Sequence, residues 1–213
     1  SEKAVAWLAA IMAWNLACAG VRCDKLTFAA FETIRNWVPS DDDLTSDVSS
    51  PRYIRMIQLY RVYLNYALQN SGDRIQKPRE EGWLAKFAEA NPQVVLSPCQ
   101  VETLRKMQKM NVTSPNVNMP LSVAHTRVVS VLHGMTEIVS TEHCVHESLI
   151  VDVFLPKRNL IIEVDGPSHF LLPEGKETTG VTNFRTDTLK KCGYRVESIG
   201  HWDLDGQSKG QMR

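Results

Sequence analysis

The sequence predicts an N-terminal helical array followed by a small α/β domain. Up to Gly134 the apolar residues recur at intervals of three and four, and Pro and Gly residues separate the segments. After Gly134 the pattern changes to short runs rich in β-branched residues, with one further helical segment among them. We therefore expect a helical region over residues 1–118 and an α/β domain over residues 119–213.

The first helix is expected over residues 4–21. This stretch is nearly long enough to span a membrane, but it is rich in Ala and contains Asn15, which favours a helix packed against other helices. Asp24 is suited to cap a second helix over residues 24–37, and a loop is expected over residues 39–50.

A third helix is expected to begin at Ser50 and Pro51 and to end before Ser71, because Ser favours the N-cap position and Pro the first turn. Further helices are expected over residues 79–90, 97–110 and 119–134. Consecutive helices with short connections are typical of the end of an α-solenoid, although no repeat period is visible.

The C-terminal part is predicted to alternate strands and a helix. The expected elements, in order, are strands over 148–155 and 160–164, a helix over 184–192 capped by Thr182, and a strand over 194–199. The Pro-Lys-Arg-Asn connection at 156–159 is short enough for a tight turn between the first two strands. Together with the helix over 119–134, this order predicts a small α/β module.

The charge of the chain is balanced overall but unevenly distributed. The 24 Lys and Arg residues equal the 24 Asp and Glu residues, so no global field draws the chain to nucleic acid or to a membrane. Residues 51–110 form the basic block, with ten Lys and Arg against five Asp and Glu. Arg52, Arg55 and Arg61 are therefore candidate RNA-facing residues, and the alternative is an ordinary solvated helix face.

Acidic residues follow the apolar run of the second predicted strand. Strand side chains alternate between faces, so Glu163 and Asp165 share one face, and a hairpin brings Asp152 to the same face. Three neighbouring carboxylates need a counter-charge, because each raises the pKa of the others. A divalent ion would provide it. The protein alternatives are Lys157, Arg158 and Arg185.

The turn after this strand also has a purely structural interpretation. Gly166 and Pro167 favour a turn that Asp165 caps, and His169 would then only hydrogen-bond the loop. From the residue types alone, both the metal site and the structural turn stay open.

Several segments resemble the RAP domain, over about residues 120–210. They are Val-Asp-Val-Phe-Leu-Pro at 151–156, Ile-Glu-Val-Asp-Gly-Pro-Ser-His-Phe at 162–170, Thr182 with Phe184 and Arg185, Gly-Tyr-Arg-Val at 193–196, and His201-Trp202. RAP domains end many organelle RNA-processing proteins, including the FAST kinase-domain family and large sets in apicomplexan parasites and algae. The chain has no protein-kinase motif, so kinase activity is not expected.

The resemblance implies a fold similar to the restriction-endonuclease-like superfamily. In active members an Asp on one strand and a Glu-x-Lys on the next bind a metal and position water. Asp152 and Glu163 match the two acidic positions, whereas Asp165 stands at the position of the Lys. The resemblance therefore implies an inherited nuclease-like site that is inactive or weakly active and is reused to contact RNA or protein.

We expect an RNA-binding protein of an organelle, most simply a structural component of a mitochondrial ribonucleoprotein such as the mitoribosome, bound to rRNA and to other proteins of the particle. The short helical region and the neutral chain favour a resident component over a factor that finds its own RNA. The alternatives are a mitochondrial RNA-processing factor and an Mg²⁺-dependent endoribonuclease that uses Asp152, Glu163 and Asp165. In the leading interpretation no cofactor, metal ligand or membrane is assigned. The expected RNA contacts are Lys157, Arg158, His169, Arg185, Arg52, Arg55 and Arg61.

Overall fold

The fold is given by a computed structural model. It describes residues 2–32, 50–70, 83–91, 96–113, 122–135, 139–145, 149–172 and 176–205. The chain divides into two compact units, the first formed by Ser1–Val117 with His146–Ser148 and the second by Asn118–Val145 with Leu149–Arg213.

The first unit is helical where it is described. Its helices are α1 (Glu2–Cys18), α2 (Asp24–Glu32), α3 (Pro51–Asn70), α4 (Trp83–Ala90) and α5 (Pro98–Thr113). The core forms around α3, whose Tyr60 and Tyr63 are fully buried. The Phe31 ring of α2 meets the Tyr63 ring edge to face, with 5.3 Å between the ring centroids. These tyrosines are therefore core residues.

Local capping explains where two of these helices begin. The Tyr53 amide donates to Ser50 Oγ at 3.2 Å, which satisfies an amide of the first turn of α3. At the start of α5, the Gln100 amide donates to Ser97 Oγ, and the Ser97 amide donates to Gln100 Oε1. This reciprocal pair is a capping box, so both helix starts follow from residues that the sequence displays.

Helix α1 packs against α2 and α3, and its Ala10, Ala13 and Trp14 are buried. Among the described helices, none combines the length and the apolar character that crossing a bilayer requires. The helix predicted over residues 4–21 is present and buries one side against its neighbours, but it ends at Cys18, three residues earlier than expected.

The other predicted helices are confirmed in the residues that the structure describes. The helix expected over 97–110 extends to Thr113. Parts of other predictions lie outside the described residues, namely 33–37 of the second helix, 39–49 of the loop, 79–82 of the fourth helix and 119–121 of the sixth. The solenoid interpretation stays a prediction.

The second unit contains a four-stranded mixed sheet. Its elements are α6 (Val123–Gly134), β1 (Ser140–Val145), β2 (Leu149–Leu155), β3 (Leu160–Asp165), α7 (Gly180–Lys191), β4 (Arg195–Gly200) and α8 (His201–Asp205). The strand order is β1-β2-β3-β4, with β1–β2 and β2–β3 antiparallel and β3–β4 parallel. Helix α7 is the crossover that a parallel pair requires.

Helices cover both faces of the sheet. On one face, α6 and α8 form a core with β2 and β3 in which Val128, Val153 and Ile162 are buried. The opposite face carries Ile161 and Glu163, and α7 lies over it. Since side chains alternate along β3, its buried carboxylates share the face that α7 covers.

Three features of this unit differ from the sequence predictions. Strand β1 was not predicted, because Ser-Thr-Glu-His-Cys-Val is a polar edge strand with only Val145 buried. Helix α8 was not predicted either. The cap of α7 is Thr179 and not Thr182, whose amide donates to Thr179 Oγ1 at 3.4 Å and whose side chain is buried in the first turn. The sequence offers two Thr residues in series, and only the earlier one has the extended backbone of a cap.

Candidate functional site: a buried acidic cluster and a basic edge

The acidic cluster begins where β2 and β3 separate. Backbone pairing of the two strands runs from Leu155–Leu160 to Val153–Ile162. At the next position, the Val164 amide donates to the side chain of Asp152 at 2.7 Å. The Asp152 carboxylate therefore lies beside β3 and serves as a hydrogen-bond acceptor in the gap between the strands.

The second carboxylate, Glu163, has a protein counter-charge. Arg185 Nη2 on α7 lies 2.9 Å from Glu163 Oε1 and 3.2 Å from Oε2, and it also donates to the Ile150 carbonyl oxygen. Of the three cations that the sequence offers as counter-charges, the structure places Arg185 on the cluster. The Arg185 guanidinium is thereby engaged inside the protein and is less available to RNA.

Burial dominates the electrostatics of Glu163. It raises the pKa of the carboxyl to about 7, the nearby charges of Asp152 and Asp165 act in the same direction, and Arg185 opposes them. A carboxyl group with this pKa is partly protonated at neutral pH. Such a perturbed group in a cluster is typical of functional sites, although structural ion pairs also produce it.

The third carboxylate, Asp165, holds the histidine of the turn. Asp165 is buried, and its Oδ1 lies 2.8 Å from His169 Nδ1, while Ser198 Oγ on β4 donates to Oδ2. Thr182 Oγ1 lies 3.4 Å from the same ring nitrogen. The His169 side chain is 43% exposed, so Asp165 fixes one edge of an imidazole that remains accessible to solvent.

The Asp-Gly-Pro-Ser-His-Phe segment also builds a compact turn, as the structural interpretation predicts. Pro167–His169 form a single turn of 3₁₀ helix, and the His169 amide donates to the Gly166 carbonyl at 3.0 Å. The His169 carbonyl accepts from the Thr179 amide at 2.7 Å, immediately before α7. The segment therefore fixes the position of the imidazole and of the helix that supplies Arg185.

The three predicted catalytic carboxylates thus lie near one another, and each has a partner within the protein. Their partners are a backbone amide for Asp152, a guanidinium for Glu163, and an imidazole and a hydroxyl for Asp165. Their catalytic use stays a prediction. In the described residues, the one group of three with metal-ligand spacing contains Asp152 but neither of the other two.

A basic edge lies at the opposite end of β3. Lys157 and Arg158 are exposed in the connection between β2 and β3, and Arg195 is exposed where β4 pairs with Leu160. The Arg195 amide donates to the Asn159 carbonyl at 3.0 Å, which joins the two segments directly. We define Lys157, Arg158 and Arg195 as the basic edge. It is about 16 Å from Asp165, since β3 advances about 3.3 Å per residue.

Two of the arginines predicted as RNA contacts, Arg55 and Arg61, lie on different sides of α3. Arg55 Nη1 donates to Gln58 on the same helix, and Arg61 Nε donates to the buried Gln108 of α5 at 3.2 Å. Arg55 and Arg61 are six positions apart, which places them about 120° apart around the helix axis. The side chain of Arg52 lies outside the described residues.

Sequence reasoning missed two groups that the structure adds to these sites. Ser198 joins the acidic cluster and Arg195 joins the basic edge, both because β4 lies parallel to β3. In the parallel register Leu160 lies opposite Arg195 and Glu163 lies opposite Ser198. This register would have identified both residues, but it can be predicted only when the crossover through α7 is known.

These features define the second unit as a small α/β domain with a partly buried acidic cluster at one end of its sheet and exposed cations at the other. The family model of the RAP domain matches residues 162–211, and the chain therefore carries a RAP domain, as the sequence resemblance predicts. The match includes Glu163, Asp165, His169 and Arg185, whereas α6, β1 and β2 precede it. No curated protein matches the chain. The RAP assignment supports RNA binding.

Proposed function

We propose that the protein binds RNA through its second unit, as a resident component of an organelle ribonucleoprotein. The RAP match supports RNA binding in general. The observation that carries the proposal in this chain is the basic edge, where two separate segments present three exposed cations. Exposed Lys and Arg side chains gain affinity for phosphates by releasing counterions, without needing a particular base sequence.

A second contact is proposed at the exposed edge of His169. Because Asp165 fixes Nδ1, the ring keeps one orientation, and Nε2 can face a phosphate or a base edge. This contact lies at the other end of β3 from the basic edge. A bound strand would therefore cover about 16 Å to reach both, a distance of a few nucleotides.

The test is RNA binding at several salt concentrations. We expect the triple variant Lys157→Gln/Arg158→Gln/Arg195→Gln to weaken binding of a single-stranded RNA and to lower the salt slope by about 2, since each phosphate contact contributes about 0.7. The matched control changes three exposed cations of the helical unit, in Lys25→Gln/Lys86→Gln/Lys106→Gln. Equal losses in both variants would show that only net charge matters, and would refute the basic edge as the site.

The particle is proposed to be mitochondrial, with the mitoribosome and its rRNA as the expected setting. The mitochondrial setting is proposed because RAP domains occur in many organelle RNA-processing proteins. Sedimentation of the native protein from mitochondrial lysate, with and without RNase, tests it. Co-migration with a ribosomal subunit that RNase abolishes is expected. A protein that is absent from mitochondria, or that sediments alone without RNase, would contradict the proposal.

The second proposal is that the second unit has a restriction-endonuclease-like fold and acts as a metal-dependent endoribonuclease. It is supported by the convergence of Asp152 and Glu163 from adjacent strands and by the raised pKa of Glu163. The ion pair with Arg185 argues against it, because the guanidinium occupies the Glu163 carboxylate. RNA cleavage that requires Mg²⁺ or Mn²⁺ and is lost in Glu163→Ala, with RNA binding kept, would support this activity. Purified protein that cleaves with neither ion would exclude it.

A further inference from the structure

A buried imidazole and two carboxylates meet where α6, β1 and β2 come together. His125 lies in the first turn of α6, Glu142 in β1 and Asp152 in β2. One possible ligand atom from each lies within 4.8 Å of the other two, and this is the one such group in the described ranges. It lies outside the segment that matches the RAP domain, and it excludes Glu163 and Asp165.

The strand register brings the two carboxylates together. Thr141 pairs with Val153 and His143 pairs with Val151, so Glu142 stands opposite Asp152. Glu142 has a φ of 46°, which interrupts the regular strand at this position. Burial, followed by the charge of Asp152, raises the pKa of the Glu142 carboxyl. Two carboxylates with oxygen atoms within 4.8 Å of each other favour a cation between them.

The imidazole supplies a second, independent indication. His125 is only 5% exposed. Its Nδ1 faces Glu142 Oε1 at 3.5 Å, which is longer than an ordinary hydrogen bond. Its Nε2 is buried and has no hydrogen-bond partner in the described part of the chain. One nitrogen of this buried ring is at long range from a carboxylate and the other has no partner among the described residues, which indicates a missing ligand.

We propose that His125, Glu142 and Asp152 bind a divalent transition-metal ion. A mixed set of one imidazole and two carboxylates suits Mn²⁺ or Zn²⁺ better than Mg²⁺, which prefers oxygen ligands. Two atoms bound to one ion at about 2.0–2.2 Å lie at most about 4.4 Å apart. The three ligand atoms lie within 4.8 Å of one another, so binding requires them to approach by only a few tenths of an ångström. Three protein ligands leave a position for water or for a phosphate oxygen.

The surrounding charges favour this ion. Asp152 is close enough to Glu163 to raise its pKa, and Asp165 acts on Glu163 in the same way. Arg185 is the guanidinium in contact with this group, and it is bound to Glu163. Because Arg185 is engaged by Glu163, a divalent cation would be the counter-charge for Glu142 and Asp152. The inference is independent of the proposed RNA binding, because it concerns the free protein.

Binding of Mn²⁺ alone, measured by electron paramagnetic resonance on the metal-stripped chain, tests the inference. We expect one bound Mn²⁺ per chain and at least a tenfold loss of affinity in Glu142→Gln and in Asp152→Asn. Asn keeps an oxygen that can accept from the Val164 amide, and Glu142 is half exposed, so both variants should stay folded, which thermal denaturation checks. Glu197→Gln, at an exposed carboxylate on β4, is the matched control and should bind as wild type does.

Three outcomes would overturn the inference. Failure to bind Mn²⁺ at millimolar concentration, or binding that Glu142→Gln leaves unchanged, would mean that His125 only forms an ion pair with the carboxylates. Binding lost in Glu163→Gln but kept in Glu142→Gln would place the ion between Asp152 and Glu163. Binding that both Glu142→Gln and Asp152→Asn weaken, with Glu163→Gln unaffected, would support the assignment.

Discussion

Replacing Glu163 with Gln should remove a pH dependence of stability that the wild-type protein shows. The folded state raises the pKa of this carboxyl from 4.5 to about 7. Between these values the unfolded chain has lost the proton while the folded chain still holds it. Stability therefore falls as the pH rises from about 4.5 to about 7, and it levels off above that range.

The magnitude follows from the size of the shift. At about 1.4 kcal/mol per pKa unit, the ionised carboxylate should lower the free energy of unfolding by on the order of 3 kcal/mol above pH 7. The amide of Gln does not ionise, and it can still accept a hydrogen bond from Arg185. The free energy of unfolding of Glu163→Gln, minus that of wild type, should therefore increase by about 3 kcal/mol between pH 4.5 and pH 8.

Two measurements check this prediction. A ¹³C NMR titration of the Glu163 carboxyl should give a midpoint near 7. Urea unfolding at four pH values, followed through the methyl signals of the buried Ile161, should give the stability difference for the second unit. The exposed Glu197→Gln serves as the control. A midpoint below 5, or a stability difference that does not change with pH, would refute the dominance of burial over the Arg185 charge.

The remaining predictions concern single buried contacts. Arg185→Met should raise the pKa of Glu163 further, because it removes the charge that opposes burial; a carboxyl titration whose midpoint does not rise would show that the guanidinium matters for packing alone. Tyr53→Phe should cost about 1 kcal/mol, because the Tyr53 hydroxyl donates to the Met107 carbonyl at 2.6 Å. Tyr63→Phe should be neutral or stabilising, because the Tyr63 hydroxyl is buried with no partner in the described residues. Chemical unfolding of the two Phe variants, which lose the same atom from the same helix, compares them directly, and equal effects would contradict the expectation.

The sequence was sufficient at most places where local chemistry decides the structure, the cap of α7 being an exception. Ser50 and Pro51 predicted the start of α3, and the β-branched runs predicted β2 and β3, since capping and strand preference act within a few residues. The sequence could not identify the cation that pairs with Glu163. Lys157, Arg158 and Arg185 were equally available in the sequence, and the choice depends on the path of α7 across the sheet.

The group of His125, Glu142 and Asp152 was still harder to predict from the sequence. His125 and Glu142 carry no motif, and β1 was not predicted because its residues alternate too weakly in polarity to indicate a strand. The group exists only because β1 pairs with β2 in one register and α6 brings its first turn to that edge. A sequence pattern without periodicity cannot predict contacts that depend on three separate elements.

An apolar strand can end in Glu-x-Asp because the elements that follow it supply partners for both carboxylates. The turn at Pro167–His169 brings the imidazole back to Asp165, and α7 then brings Arg185 to Glu163. Each pairing offsets the cost of burying a carboxylate, and each also fixes the position of a cation or an imidazole. An organised cluster of this kind needs no bound ion at Glu163 or Asp165. Of the three predicted catalytic carboxylates, Asp152 alone belongs to the group with metal-ligand spacing, and this is why the metal experiment should distinguish it from Glu163.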